Sequence, residues 1–291
     1  MTTTIEPELK ELRTPHGVLR YREQGEGPPL VLLHGSGPGV TGWRNFSGNI
    51  DAFSRHFRTL VLEFPGFGVS DDFGVAHPMM SAQTAVTAFL DGLGLDRVRL
   101  LGNSMGGFVA TAFALAAPER VERLVTVGGA GTSLFAPTPG EGIVRLSEFV
   151  EDPTRERLVS WLHSMVYDRS LVTEEMIEER WAQATEPATL AGSRMMYGRA
   201  ALDRVAQAGR DPSTEPAWAK LRTVQVPTLI TWGRDDRVSP LDMALLPMRL
   251  LPQGEVHVFP NCGHWVMIEQ KSAFESVVVA FLTRPDDAGT R

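Results

Sequence analysis

Arg99-Leu100-Leu101-Gly102-Asn103-Ser104-Met105-Gly106-Gly107 is the stretch that decides the fold of this chain. An apolar run enters Gly-x-Ser-x-Gly, and a helical pattern follows at once. Strand, tight turn and helix in that order mark a nucleophile elbow, with Ser104 at its apex. A serine hydroxyl is a useful nucleophile only when its oxygen is exposed and a base sits beside it. Gly102 and Gly106 remove side chains that would clash in so sharp a turn. A glycine-serine loop closing a strand could carry the same letters, but the flanking patterns favour the elbow.

Outward from the elbow, short apolar stretches alternate with longer helical patterns. The expected strands are Val18–Arg22, Leu30–Leu33, Thr59–Glu63, Val98–Leu101, Leu124–Val127, Thr228–Trp232 and Val256–Phe259. Several are continuous apolar runs, as in central strands covered on both faces. Helices are expected at about Ser81–Leu93, Ser104–Ala116, Leu241–Leu251 and Ser272–Leu282. This alternation predicts an α/β fold with a mostly parallel sheet and helices on both sides.

The rhythm breaks after Gly129. From about Ala130 to Ala217 the patterns are helical, with no convincing strand. Pro137, Pro139 and Gly140 mark one edge, and Pro212, Ser213 and Pro216 the other. The sheet pattern resumes at Val226–Trp232. We expect a core of residues 1–132 and 215–291, with residues 133–214 inserted as a helical lid over the strand ends. The threonine run at the start and residues 285–291 resemble frayed termini.

Bulk properties narrow the function classes. The 291 residues suffice for one large α/β domain with a cap, and a 43% apolar, 22% charged composition is ordinary for a globular protein. The net charge of −7 offers no pull on a polyanion, so nucleic acid is not an expected partner. No apolar run reaches the ~18–20 residues of a membrane span, and residues 1–10 lack the features of a signal peptide. A single cysteine, Cys262, excludes an internal disulfide framework and fits a reducing compartment. The expectation is a soluble cytoplasmic protein. The scattered histidines and lone cysteine give no metal-ligand spacing, and no cofactor is expected.

Ser104 needs a base, and the chain has seven histidines. His16 lies in a hairpin-like region, His56 and His77 in polar connections, His163 in a helix of the insertion, and His257 within a strand. His264 differs: it follows the last strand in Pro260-Asn261-Cys262-Gly263-His264-Trp265. The C-terminal end of a parallel strand is where α/β enzymes place working groups, and the chain order Ser…Asp…His fits this arrangement. The orienting carboxylate should end the preceding strand, where Asp235 and Asp236 stand side by side. Residue physics alone barely separates them; either could be a turn former. Two backbone N–H donors must face the developing oxyanion. One is that of Met105, after the nucleophile. The other should come from Leu33-His34-Gly35-Ser36-Gly37-Pro38-Gly39, through the Ser36 N–H and not its hydroxyl.

With these residues in hand, the chain resembles the α/β-hydrolase fold over nearly its whole length. More narrowly, it resembles the meta-cleavage product hydrolases, which cleave carbon–carbon bonds in bacterial aromatic and steroid-ring degradation. The stretches that carry the likeness are His34–Gly39 with Trp43-Arg44-Asn45, Gly102–Gly107, Leu134–Pro137, Val166-Tyr167-Asp168, Glu179-Arg180-Trp181, Thr231–Arg237 and Cys262–Trp265. The general fold motifs are widely shared; the set of Asn45, Asn103 and Arg180-Trp181 is more selective.

The resemblance implies that Asp236, not Asp235, is the orienter. It also implies that Asn45, Asn103, Arg180 and Trp265 hold the 2-oxo and carboxylate end of a dienoate, with Met165 and other lid residues at its distal group. A guanidinium recognises a carboxylate well. Without the resemblance, Arg180 would read as a helix-surface arginine beside Glu178 and Glu179, and Asn45 as a helix-start residue. The implied reaction is hydrolysis of a 2-hydroxy-6-oxohexa-2,4-dienoate. A carboxylesterase with the same triad is the first alternative, and a non-enzymatic ligand-binding protein on the same fold the second. Homo-oligomers are common among such relatives. Two departures stand out: Ser36 where many relatives have glycine, and Glu63 where the wider fold often has aspartate.

Overall fold

A computed structural model describes residues 6–75, 77–136, 138–209, 215 and 217–285. Among these, β1 (Lys10–Thr14), β2 (Gly17–Gln24), β3 (Pro29–Leu33), β4 (Arg58–Glu63), β5 (Val98–Asn103), β6 (Val121–Val127), β7 (Thr228–Gly233) and β8 (Gly254–Phe259) form one sheet. Their spatial order is β1-β2-β4-β3-β5-β6-β7-β8. The pairs β1·β2 and β2·β4 are antiparallel; from β4 to β8 every pair is parallel.

Helices α1 (Gly42–Phe46) and α2 (Ile50–Phe53) follow β3, α3 (Pro78–Gly92) follows β4, and α4 (Met105–Ala116) follows β5. Between β6 and β7 lie α5 (Glu141–Glu151), α6 (Arg155–Met165), α7 (Glu174–Ala184), α8 (Pro187–Tyr197) and α9 (Arg199–Ala208). Then come α10 (Leu245–Leu250), α11 (Val266–Glu269) and α12 (Lys271–Leu282). The chain is thus an α/β-hydrolase-type sheet with a helical insertion. Among the described residues no strand interrupts that insertion, and no helix is long and apolar enough to cross a membrane.

Sequence explains the layering. In β3, Val31 and Leu33 pack with Phe89 of α3 and Val109 of α4 on one face. Leu30 and Leu32 pack with Phe53 of α2 and Phe274 of α12 on the other. Alternating side chains of a strand point to opposite faces, so a strand buried on both reads as an unbroken apolar run. Each such leucine contributes about 1.5–3 kcal/mol on burial. Helix α3 buries Ala82, Ala85, Val86, Phe89 and Leu90, an i, i+3, i+4, i+7, i+8 stripe. Thr154 and Thr173 cap α6 and α7 by accepting from the Arg157 and Met176 N–H groups.

The seven expected strands all form. Strand β1 is the one not foreseen. Its Lys-Glu-Leu-Arg-Thr sequence is mostly exposed at the sheet edge and offers no apolar alternation to read. The expected helix over 241–251 is instead a 3-10 turn, Leu241–Ala244, followed by α10. Pro247 has no N–H for the Met243 carbonyl, so the α-helical ladder cannot extend unbroken back to Leu241, and Pro247 falls instead in the first turn of α10. Gly140 stands at the N-cap of α5. Of the other marks of the insertion's edges, Pro139 is described, whereas Pro137, Pro212, Ser213 and Pro216 lie outside the described residues.

Candidate active site

Strand β5 lies mid-sheet and ends in the elbow. Ser104 adopts φ 51°, ψ −116°, a backbone that L-residues rarely take. Its N–H donates to the Val127 carbonyl at 2.8 Å, and its carbonyl accepts from the Gly107 and Phe108 N–H groups. The two flanking glycines are obligatory. A Cβ on Gly102 would stand 2.2 Å from the Gly106 carbonyl oxygen, and one on Gly106 2.1 Å from that of Leu33. The Met105 side chain is buried in the core, which leaves its N–H at the start of α4; among the described residues that N–H has no backbone acceptor.

Strands β7 and β8 carry the other two triad candidates. His264 Nδ1 and Asp236 Oδ2 are 2.7 Å apart, and both side chains are buried. The second oxygen, Asp236 Oδ1, accepts from the Val238 and Ser239 N–H groups at 2.8 Å each. Three hydrogen bonds thus fix the carboxylate, which in turn fixes the imidazole. Asp235 turns elsewhere: it pairs with Arg234 and accepts from the Cys262 N–H at 3.4 Å.

The loop after β3 is braced from three sides. His34 accepts from the Phe64 N–H through Nε2 at 2.9 Å, so Nδ1 carries the proton and donates to the Gly35 carbonyl at 2.6 Å. Complete burial pushes the His34 pKa down to about 4. Asn45 Oδ1 accepts from the Gly35 N–H at 2.9 Å. Glu63 accepts from the Gly42 and Trp43 N–H groups at 2.6 and 3.0 Å, which holds the N-terminus of α1 and hence Asn45. Burial raises the Glu63 pKa. The Ser36 hydroxyl forms a short hydrogen bond with the Tyr197 hydroxyl of α8. Among the described residues the Ser36 N–H has no backbone acceptor.

These elements enclose a cavity of about 20 Å³. Ser36, Asn103, Ser104 and His264 line it from the sheet side together with Trp265, while Met165, Trp161 and Arg180 line it from the insertion. Asn45 and Met105 are not on its wall; the Asn45 side chain works from behind, on Gly35. Asn103 donates through Nδ2 to the Val127 carbonyl at 3.2 Å. Arg180 is 4% exposed, not the surface arginine that its acidic neighbours suggest. Glu178 pairs with Arg155 and Glu179 with Arg44 instead. Arg180 donates through Nη1 to the Pro38 carbonyl at 3.3 Å, its Nε has no partner, and its Cζ stands 5.2 Å from the Trp265 ring centroid. Burial, with the nearby Arg44 charge, pushes its pKa down to about 10.

Comparison with known proteins gives the family of the chain. The family model of the alpha/beta hydrolase fold matches residues 28–271. A 2-hydroxy-6-oxononadienedioate/2-hydroxy-6-oxononatrienedioate hydrolase of Burkholderia vietnamiensis (strain G4 / LMG 22486) is 40% identical over 273 residues, 91% of each chain. A 2-hydroxy-6-oxo-6-phenylhexa-2,4-dienoate hydrolase of Burkholderia cepacia is 36% identical over the same span and coverage. A solved meta-cleavage product hydrolase from Pseudomonas fluorescens IP01 superposes with a TM-score of 0.83 at 31% identity, covering 94% of this chain and 97% of that one. The chain belongs to the meta-cleavage product hydrolases of the α/β-hydrolase family.

In this meta-cleavage product hydrolase, several residues at the site carry no motif of their own. Gly128, just past β6, has φ +57°, and a Cβ there would lie 3.0 Å from His264 Cε1 and 3.3 Å from Asp236 Oδ2. Tyr197 reaches Ser36 from 161 residues away in sequence. Arg237, next to Asp236, donates to the His163 and Val166 carbonyls at the end of α6. Only Arg237 has a local signal in the sequence, as the last residue of the Thr231–Arg237 stretch that carries the family likeness.

Proposed function

We propose that this hydrolase cleaves the C5–C6 bond of a 2-hydroxy-6-oxohexa-2,4-dienoate-type ring-fission product. The observation that carries this reading is Arg180, a buried guanidinium without a carboxylate partner among the described residues, on the wall of the cavity that Ser104 lines. A buried cation is costly until an anion meets it, and the substrate carboxylate supplies that anion. A simple ester offers none. The names of the relatives, dienoate and dienedioate hydrolases, point the same way.

Arg180 and Asn103 hold the carboxylate and the C2 oxygen, with Trp265 stacked beneath the guanidinium and Asn45 keeping Gly35 in place. His264, oriented by Asp236, moves a proton so that the dienol becomes a ketone. The five-carbon fragment is then an electron sink. Ser104, or water activated with it, attacks the C6 carbonyl, and the Ser36 and Met105 N–H groups receive the oxyanion. Each such donor is worth about 3–4 kcal/mol in the transition state. The C5–C6 bond breaks, its electrons pass into the dienolate, and one water is consumed to give 2-hydroxypenta-2,4-dienoate and a carboxylic acid. Residues 133–214 act as a lid over residues 1–132 and 215–291, with Met165 and Trp161 facing the distal group. We place the enzyme in the cytoplasm, where its free, buried Cys262 stays reduced.

The test offers a yellow 6-aryl dienoate, then alkyl and steroid-ring analogues, and follows the loss of visible absorbance beside the hydrolysis of a small ester. Rapid decay of a dienoate is expected. Fast ester turnover with no decay of any dienoate leaves a carboxylesterase in its place. The Ser104→Ala variant should still show the spectral shift of ketonisation while releasing no product.

A further inference from the structure

Two separated pieces of chain meet at Glu269, the last residue of α11. One carboxylate oxygen, Oε1, accepts from the Gly263 N–H at 2.7 Å, immediately before His264. The other, Oε2, accepts from the Tyr167 and Asp168 N–H groups at 2.7 and 3.2 Å, just past α6 of the insertion. A parallel tie runs alongside, since the His264 N–H donates to the Met165 carbonyl at 2.7 Å. Met165 and His264 are both on the cavity wall.

We propose that Glu269 is a positioning residue that fastens the helical insertion to the loop bearing His264, so that base and cavity wall are set together. The proposal rests on His264 being the base for Ser104. Only a carboxylate can do this joining. It offers acceptor lone pairs on both oxygens, whereas an amide of the same length turns an NH₂ toward backbone N–H groups. Burial and the Asp236 charge raise the pKa of Glu269, and the three N–H groups oppose them by favouring the ionised form. The neighbouring Cys262 thiol, 4.0 Å from Oε1, adds a weak donor.

The test labels Ser104 in the full-length enzyme with an alkyl fluorophosphonate, whose rate depends on the base and not on a dienoate. Glu269→Gln should keep a cooperative melt within a few degrees of wild type and lower the labelling rate by about 10- to 100-fold, the cost of a small misplacement of a reacting group. Its kcat on a dienoate should fall while KM changes less than about threefold. Glu269→Asp, which keeps the charge but is one carbon shorter, should fall between the two, and it carries the same comparison if the Gln variant does not fold. A folded variant that labels at the wild-type rate overturns the proposal, as does a loss that only matches the unfolded fraction. A wild type that does not label at Ser104 removes the triad reading, and this inference with it.

Discussion

The Arg180 guanidinium lies 5.2 Å from the centroid of the Trp265 ring and, among the described residues, faces no carboxylate within salt-bridge distance. The ring's negative face gives a desolvated cation partial compensation. In the proposed function the substrate carboxylate supplies the rest. Arg180→Met should therefore separate function from stability. Its kcat/KM on a dienoate should fall by about 100-fold or more, as when one partner of a buried charged pair is removed. Ester turnover should change less than a few-fold. The melting midpoint should rise, since an apolar side chain replaces an unpaired buried charge. Steady-state kinetics with calorimetry would check both halves.

The triad acid gives a sharper contrast between neighbours. Asp236→Asn keeps the shape but withdraws the acceptor that holds the His264 tautomer. A fall in kcat of about 10⁴-fold is expected. Asp235→Asn, one residue away, should stay within a few-fold of wild type. Comparable losses in both variants would show that the orienter has been misassigned.

His34 predicts a pH dependence of folding. Its native pKa is about 4 and its ordinary value 6.5. Above pH 6.5 it is neutral in both states and contributes no slope. Between pH 6.5 and 4 the unfolded chain takes up a proton that the native chain refuses, so stability falls as pH falls, by up to about 3 kcal/mol. Glu63 and Glu269, whose native pKa values are raised, oppose this as they protonate. Denaturant titrations of wild type and His34→Asn across this range isolate the histidine: the variant should lack the corresponding proton uptake on unfolding.

Ser104 sits in a backbone conformation that costs a non-glycine residue about 1–3 kcal/mol. Ser104→Gly should abolish turnover and raise the unfolding free energy by about 1 kcal/mol, after the greater freedom of the unfolded glycine chain is subtracted. Equal or lower stability in the glycine variant would show that the turn is relaxed.

How much of this was legible in sequence depends on the range of the interaction. The elbow, the apolar strands and the His264 loop are local, and their residue types follow from local sterics. Only resemblance separates Asp236 from Asp235 in the sequence, because two adjacent carboxylates differ in nothing but the direction in which the turn after β7 points them. Strand β1 left no trace because an edge strand mostly exposed to water has no apolar pattern. Residue pattern alone makes Arg180 a surface arginine beside Glu178 and Glu179, and only the resemblance gives it a place at the site; in the structure those neighbours pair with Arg155 and Arg44 and the helix turns Arg180 inward. Tyr197 and Glu269 act on residues 161 and up to 102 positions away, and no local pattern encodes such a meeting.

Gly128 has a consequence for anyone judging a relative by its letters. It brings no functional group to the reaction, yet its missing side chain leaves room for the imidazole and its carboxylate to approach the end of β6. A homologue that keeps the serine, the aspartate and the histidine but carries even a methyl group here must take a strained backbone and push the imidazole and its carboxylate aside by a few tenths of an ångström. The placement of the triad thus hangs in part on an atom that is not there.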